Sequence, residues 1–176
     1  VRRLPDAGRA RGVVTSSSGN HGLGVAFAAQ RHGIPAVVVM PESAPAVKVA
    51  GVKALGGEVL QVGKVRGPEQ TEAAERLMAE RGLCFIPPYD HPDVIAGQGT
   101  CGLEILEEWP DVGTLVVPVG GGGLLAGLCA AVRAFRPGVR VVAVEPSGVP
   151  KLSAARTAGP VAPPTRPARS WICAGP

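Results

Sequence analysis

Aromatic residues make up only 3% of this 176-residue chain, so any core has to be built from Val, Leu, Ile and Ala. No run of 18 apolar residues exists, which excludes a membrane-spanning helix. Cys84, Cys101, Cys129 and Cys173 are far apart and form no CxxC pair. With only His21, His32 and His91 beside them, they give no zinc site of the usual spacing. Four reduced thiols and a cytoplasmic location are expected from that usage. Residues 1–12 carry four Arg and no apolar segment, so they do not read as a signal peptide. The formal charge of +4 comes from 18 basic and 14 acidic residues. The surplus forms no stripe interleaved with aromatics, which argues against a nucleic-acid partner.

What is present points to a globular α/β protein: 45% hydrophobic and 18% charged residues, in strand-then-helix units. Short apolar runs at 12–15, 36–40, 58–62, 83–86, 114–119 and 139–144 read as strands. Helices fit 21–32, 45–55, 69–81, 91–109 and 124–135. The strands are continuously apolar rather than alternating, the mark of parallel sheets with helices on both faces. Pro87-Pro88 separates a first domain, 11–88, from a second, 89–147. Residues 148–176 hold six Pro and no apolar period, and read as a disordered tail.

Two loops, each between a strand end and a helix start, have compositions suited to chemistry. In Thr15-Ser16-Ser17-Ser18-Gly19-Asn20-His21-Gly22, hydroxyls and helix N-terminal amides suit an anion such as a carboxylate. Asn20 is the only Asn in the chain. The plain alternative is a Ser-rich cap and turn. A Ser–His nucleophile finds no adjacent carboxylate to orient it. In Val119-Gly120-Gly121-Gly122-Gly123-Leu124, four consecutive Gly are entropically costly for a mere turn and favour wrapping of a phosphate. Gly121, Gly123 and Ala126, with Glu145 closing the next strand, also satisfy the layout of an NAD fingerprint.

Further motifs join these loops in order: Gly33-Ile34-Pro35-Ala36, Val39-Met40-Pro41, Ala54-Leu55-Gly56-Gly57-Glu58-Val59, Ile86-Pro87-Pro88-Tyr89-Asp90 and Val94-Ile95-Ala96-Gly97-Gln98-Gly99-Thr100. From about Val1 to Ser147 the chain resembles the fold type II pyridoxal-phosphate enzymes, in particular serine/threonine dehydratases and serine racemase. The resemblance implies a small mobile domain followed by part of a large domain, as in the tryptophan synthase β-like architecture. It implies that Ser17, Ser18, Asn20 and His21 grip the substrate carboxylate and that Asn20 bonds the cofactor's ring hydroxyl. Ser18 matches the serine that exchanges the Cα proton on one face in racemases. Gly120, Gly121, Gly122 and Gly123 match the loop that holds the phosphate, which displaces the NAD reading. The implied cofactor is pyridoxal 5′-phosphate and the implied substrate is Ser or Thr. The implied reaction is β-elimination to a 2-oxo acid and ammonia, or racemisation, in a homodimer.

The resemblance places the Schiff-base lysine in a Phe-Lys-x-Arg-Gly segment ahead of the first strand, and no such segment occurs in these residues. The four lysines present, Lys48, Lys53, Lys64 and Lys151, read as solvated charges or as part of the tail. The chain thus reads as truncated at both ends, and an inactive fragment or ligand-binding remnant is the alternative. Glu145 matches the first ligand of a divalent-cation site, but Lys151 stands where a second acid belongs, so no metal is expected. The likeness is expected to end after Ser147, with residues 161–176 resembling out-of-frame text. Exposed apolar surface and self-association are expected of the second domain.

Overall fold

The computed structural model describes residues 1–148 and 150–158, which divide into two compact units meeting at Pro88 and Tyr89. In the first unit, α1 (Asp6–Arg11) precedes β1 (Val13–Ser16), α2 (Asn20–His32), β2 (Ala36–Met40), α3 (Ala46–Ala54), β3 (Glu58–Gln61), α4 (Pro68–Arg81) and β4 (Cys84–Phe85). The four strands form one parallel sheet in the order β3-β2-β1-β4. Both faces of β2 are buried along its whole length, as its unbroken Ala-Val-Val-Val-Met run requires. Val14, Val37 and Val39 pack with Ala73, Ala74, Leu77 and Met78 of α4 on one face. Val13, Ala36, Val38 and Met40 meet Val25, Ala26 and Ala29 of α2 and Val52 of α3 on the other. Helix α2 ends where Gly33 turns left-handed at φ 62° and returns its N–H to the Ala29 and Gln30 carbonyls.

The second unit contains α5 (Pro92–Glu108), β5 (Thr114–Pro118), α6 (Gly123–Phe135), β6 (Arg140–Val144) and α7 (Lys151–Ala158). Strands β5 and β6 pair in parallel from Thr114 with Arg140 to Pro118 with Val144. Leu115 and Val117 face Leu106 of α5 and Leu128 and Val132 of α6. The opposite face carries Val116 at 67% exposure and Val144 at 49%, the exposed apolar surface expected there. No helix among the described residues is long and apolar enough to cross a membrane.

The α/β class and the parallel pairing agree with the sequence reading, and most element ends move by one or two residues. Two features differ. Helix α1 has no counterpart in that reading, because its six residues are too few to show a period. Residues 151–158, assigned to a disordered tail, form α7; the rest of that tail lies outside the described residues. Cys84 is fully buried, Cys101 and Cys129 are free and exposed, and Cys173 lies outside the described residues.

Candidate cofactor and substrate loops

The strand order sets the location of the first loop. Connections run outward from β1 through β2 to β3, and then β4 returns to the other side of β1. The reversal lies between β1 and β4, where open α/β sheets bind ligands beyond their strand ends. The segment Ser16–Asn20 leaves β1 at that point. Ser17 accepts two bonds on Oγ, from the N–H groups of Gly19 (3.3 Å) and Gly22 (3.2 Å). The capping role weighed for this Ser-rich loop is thus carried by Ser17, whose hydroxyl hydrogen stays free to donate. Ser18 has no side-chain bond among the described residues. The N–H groups of Ser18, Asn20 and His21 likewise find no acceptor among them. Three free amides at the start of a 13-residue helix, beside two hydroxyls, suit a carboxylate.

His21 takes part differently from its sequence expectation. Its Nε2 lies 3.3 Å from the Ile86 carbonyl, which also accepts from Thr15 Oγ1 at 2.8 Å. A carbonyl only accepts, so Nε2 carries the hydrogen and Nδ1 is left as the lone-pair nitrogen. Burial pushes the imidazole below its ordinary 6.5, against a smaller opposing pull from the Ile86 bond. A neutral ring tied to a main-chain oxygen brings no positive charge to a carboxylate. What His21 offers is its backbone N–H. Asn20 is exposed, and its Oδ1 accepts from Lys48 Nζ at 2.6 Å. That contact gives Lys48, read from the sequence as a solvated charge, a specific partner on α2.

In the second unit, the N–H groups of Gly121, Gly122, Gly123, Leu124 and Leu125 have no acceptor among the described residues. Intrahelical bonding begins with Ala126 N–H to the Gly122 carbonyl at 2.9 Å. Gly122 has φ 86°, which aims successive amides to one side and strains any residue with a side chain. A hollow of about 280 Å³ adjoins these amides, lined by Tyr89, Asp90, Ile95, Gly121, Gly122, Gly123 and Ala126. A Cβ at Gly121 would fall 2.3 Å from the Tyr89 ring, and one at Gly123 would fall 3.0 Å from Tyr89 Cα. Only glycine allows Tyr89 to lie against this loop. Free amides, the positive end of α6 and an adjoining hollow fit a phosphate ester, held on the amide side of the hollow and away from Asp90.

Glu145 is committed elsewhere. Its two carboxylate oxygens accept from the N–H groups of Leu152 (2.9 Å) and Ser153 (3.3 Å), the first turn of α7. That bonding competes with both the ribose contact and the metal ligation weighed for it. Among the described residues, no three His, Cys, Asp or Glu side chains gather as ligands.

A family profile described as "Pyridoxal-phosphate dependent enzyme" matches residues 1–175. The chain belongs to this pyridoxal-phosphate dependent enzyme family. The match corrects the expectation that the likeness ends after Ser147. An L-threonine ammonia-lyase of Thermotoga maritima is 45% identical over 159 residues, covering 90% of this chain and 39% of that protein. A serine racemase of Oryza sativa subsp. indica is 40% identical over 172 residues, covering 98% of this chain and 50% of that protein. The structure of maize serine racemase superposes with a TM-score of 0.83 at 40% identity, covering 88% of this chain and 47% of that one. The chain therefore spans half or less of the length of these family members.

The sequence singled out both loops of this family member but missed their supports. Tyr89, Lys48 and the Ile86 carbonyl reach the loops only through folding. None of them stands near its partner in the sequence, so the Ile86-Pro87-Pro88-Tyr89-Asp90 motif was visible while the contacts it makes were not.

Proposed function

We propose that these residues supply the phosphate and carboxylate grips of a pyridoxal-phosphate-dependent ammonia-lyase, or serine racemase-like enzyme, acting on Thr or Ser. The observation that carries the reading is the pair of strand-to-helix loops whose amides are left without acceptors. Main-chain N–H groups of Gly121–Leu125 hold the cofactor phosphate. Those of Ser18, Asn20 and His21, with the Ser17 hydroxyl, hold the substrate carboxylate. Asn20 donates from Nδ2 to the ring oxygen.

When bound, pyridoxal phosphate supplies a sink for the electron pair left as the Cα proton departs. Ser18 Oγ, free of other bonds, takes or returns a proton at one face of Cα. Its neighbour Ser17 keeps the loop in place while bonded to Gly19 and Gly22. For threonine, loss of the Cα proton and the Cβ hydroxyl, then hydrolysis of the released enamine, gives 2-oxobutanoate and ammonia. For serine, return of a proton at Cα on the opposite face gives the enantiomer instead. A homodimer is part of this proposal.

The full-length protein containing these residues is the material for the test. It should release equimolar 2-oxobutanoate and ammonia from L-threonine. Ser18→Ala should cut formation of D-serine from L-serine by about 100-fold or more, the scale of a lost acid–base group, and elimination much less. Absence of both products from the wild type would contradict the proposal.

A further inference from the structure

The contact between Lys48 and Asn20 belongs to a seam that locks α3 against α2. Asn20 and Leu23 are three residues apart on α2, as are Lys48 and Gly51 on α3, so each pair shares a helix face. A Cβ at Gly51 would come within 2.7 Å of Leu23 Cδ2, so the helices touch closely there. One turn earlier, the half-buried Lys48 reaches Asn20 Oδ1 at 2.6 Å. The close approach fixes where the lysine stem starts, and the hydrogen bond fixes where it ends.

We propose that Lys48 is a positioning residue that makes the Asn20 side chain an obligate hydrogen-bond donor. This rests on the reading of Asn20 as the partner of the cofactor's ring oxygen, and adds the group that controls it. A carboxamide can turn either its oxygen or its nitrogen toward a ligand at nearly equal cost. An ammonium has three donors and no acceptor, so it binds only the oxygen. With Oδ1 held by Lys48, both Nδ2 hydrogens face away from α3. The adjacent positive charge also draws electron density from the amide and strengthens those donors. The site then selects a ligand presenting an acceptor, such as an ionised ring oxygen, and rejects one presenting a donor.

Because Asn20 is the only Asn in the chain, labelling with [15N]asparagine gives a single pair of side-chain N–H signals. The probe is pyridoxine 5′-phosphate, which has the ring hydroxyl and phosphate but no aldehyde to react with lysines. In the wild type both side-chain signals should shift on titration. Lys48→Met keeps the stem and removes the charge; Lys48→Gln has an amide that can donate or accept. Both should move the Asn20 pair before ligand is added and weaken binding about five- to tenfold, the scale of one typical hydrogen bond. Lys48→Arg should restore most of the affinity. Two substitutions of different shape guard against a single unfolded variant. If wild-type signals titrate but the Met and Gln variants match the wild type in position and affinity, the positioning role is overturned. If the wild-type pair does not shift at saturation, the ring-oxygen role of Asn20 fails, and the proposal with it.

Discussion

Burial of the His21 imidazole has a consequence that can be measured without any ligand. In the unfolded chain this side chain takes up a proton near pH 6.5, whereas in the fold it resists until lower pH. Between those two values the unfolded state binds more protons, so stability falls as pH drops through that window and levels off below it. Urea unfolding midpoints from pH 8 downward should show the decline, and His21→Gln should flatten it. A second residue-scale prediction concerns Gly122, whose φ of 86° suits no side chain. Gly122→Ala should cost about 1 kcal/mol of stability through strain. It should also weaken phosphate-ligand binding by more than that strain alone, because the amides lose their common aim. Of the residues in the proposed grips, Ser17, Ser18, Asn20 and the Gly run could be singled out because they are contiguous in sequence. The main-chain tether of His21 could not, since Ile86 is 65 positions away.

Helices α5 and α6 approach each other backbone to backbone. A Cβ at Gly127 would sit 2.5 Å from both Gly99 N and Ile95 O, so the two backbones touch where Gly99 and Gly127 face each other. The Gly loop belongs to α6, and the position of its amides depends on this contact. Gly127→Val should push the helices apart and cost about 3 kcal/mol or more, at or above the usual range for overpacking because main chain, not a side-chain tip, must move. Thermal unfolding checks it; a Tm within 2 °C of the wild type would contradict it. The sequence reading found the strands well, since β2 and β5 are Val-rich runs bounded by Pro and Gly. It failed on α7, whose first turn is bonded by an acid on the far side of a Pro-Ser-Gly turn. That stabilisation is tertiary, and a composition argument sees only the prolines. Glu145→Ala should lower α7 helicity, at a cost of about 1 kcal/mol, the worth of a cap.

At the scale of the whole molecule, the two units differ in how completely they bury their sheets. The first has helices on both faces of four strands, a core that closes by itself. The second presents Val116 and Val144 to solvent from two strands backed on one side by α5 and α6. That face should drive self-association of the isolated chain, detected as a mass above the monomer value that rises with concentration. Val116→Lys with Val144→Lys should lower that mass. The class of fold was legible from alternation, and the chain divides between Pro88 and Tyr89, beside the Pro87-Pro88 pair. The uncovered face follows from how few strands the second unit holds, which the strand count already implied.

The central claim is that the glycine loop of this chain is a phosphate grip for the family's cofactor. Calorimetric titration of the chain with pyridoxine 5′-phosphate and with its dephosphorylated form, pyridoxine, tests it most directly. The phosphate ester should bind saturably with one ligand per chain, at least 30-fold tighter than pyridoxine, and Gly122→Ala should erase most of that difference. Equal affinity for the two compounds, or a preference for the phosphate that survives in Gly122→Ala, would contradict the account.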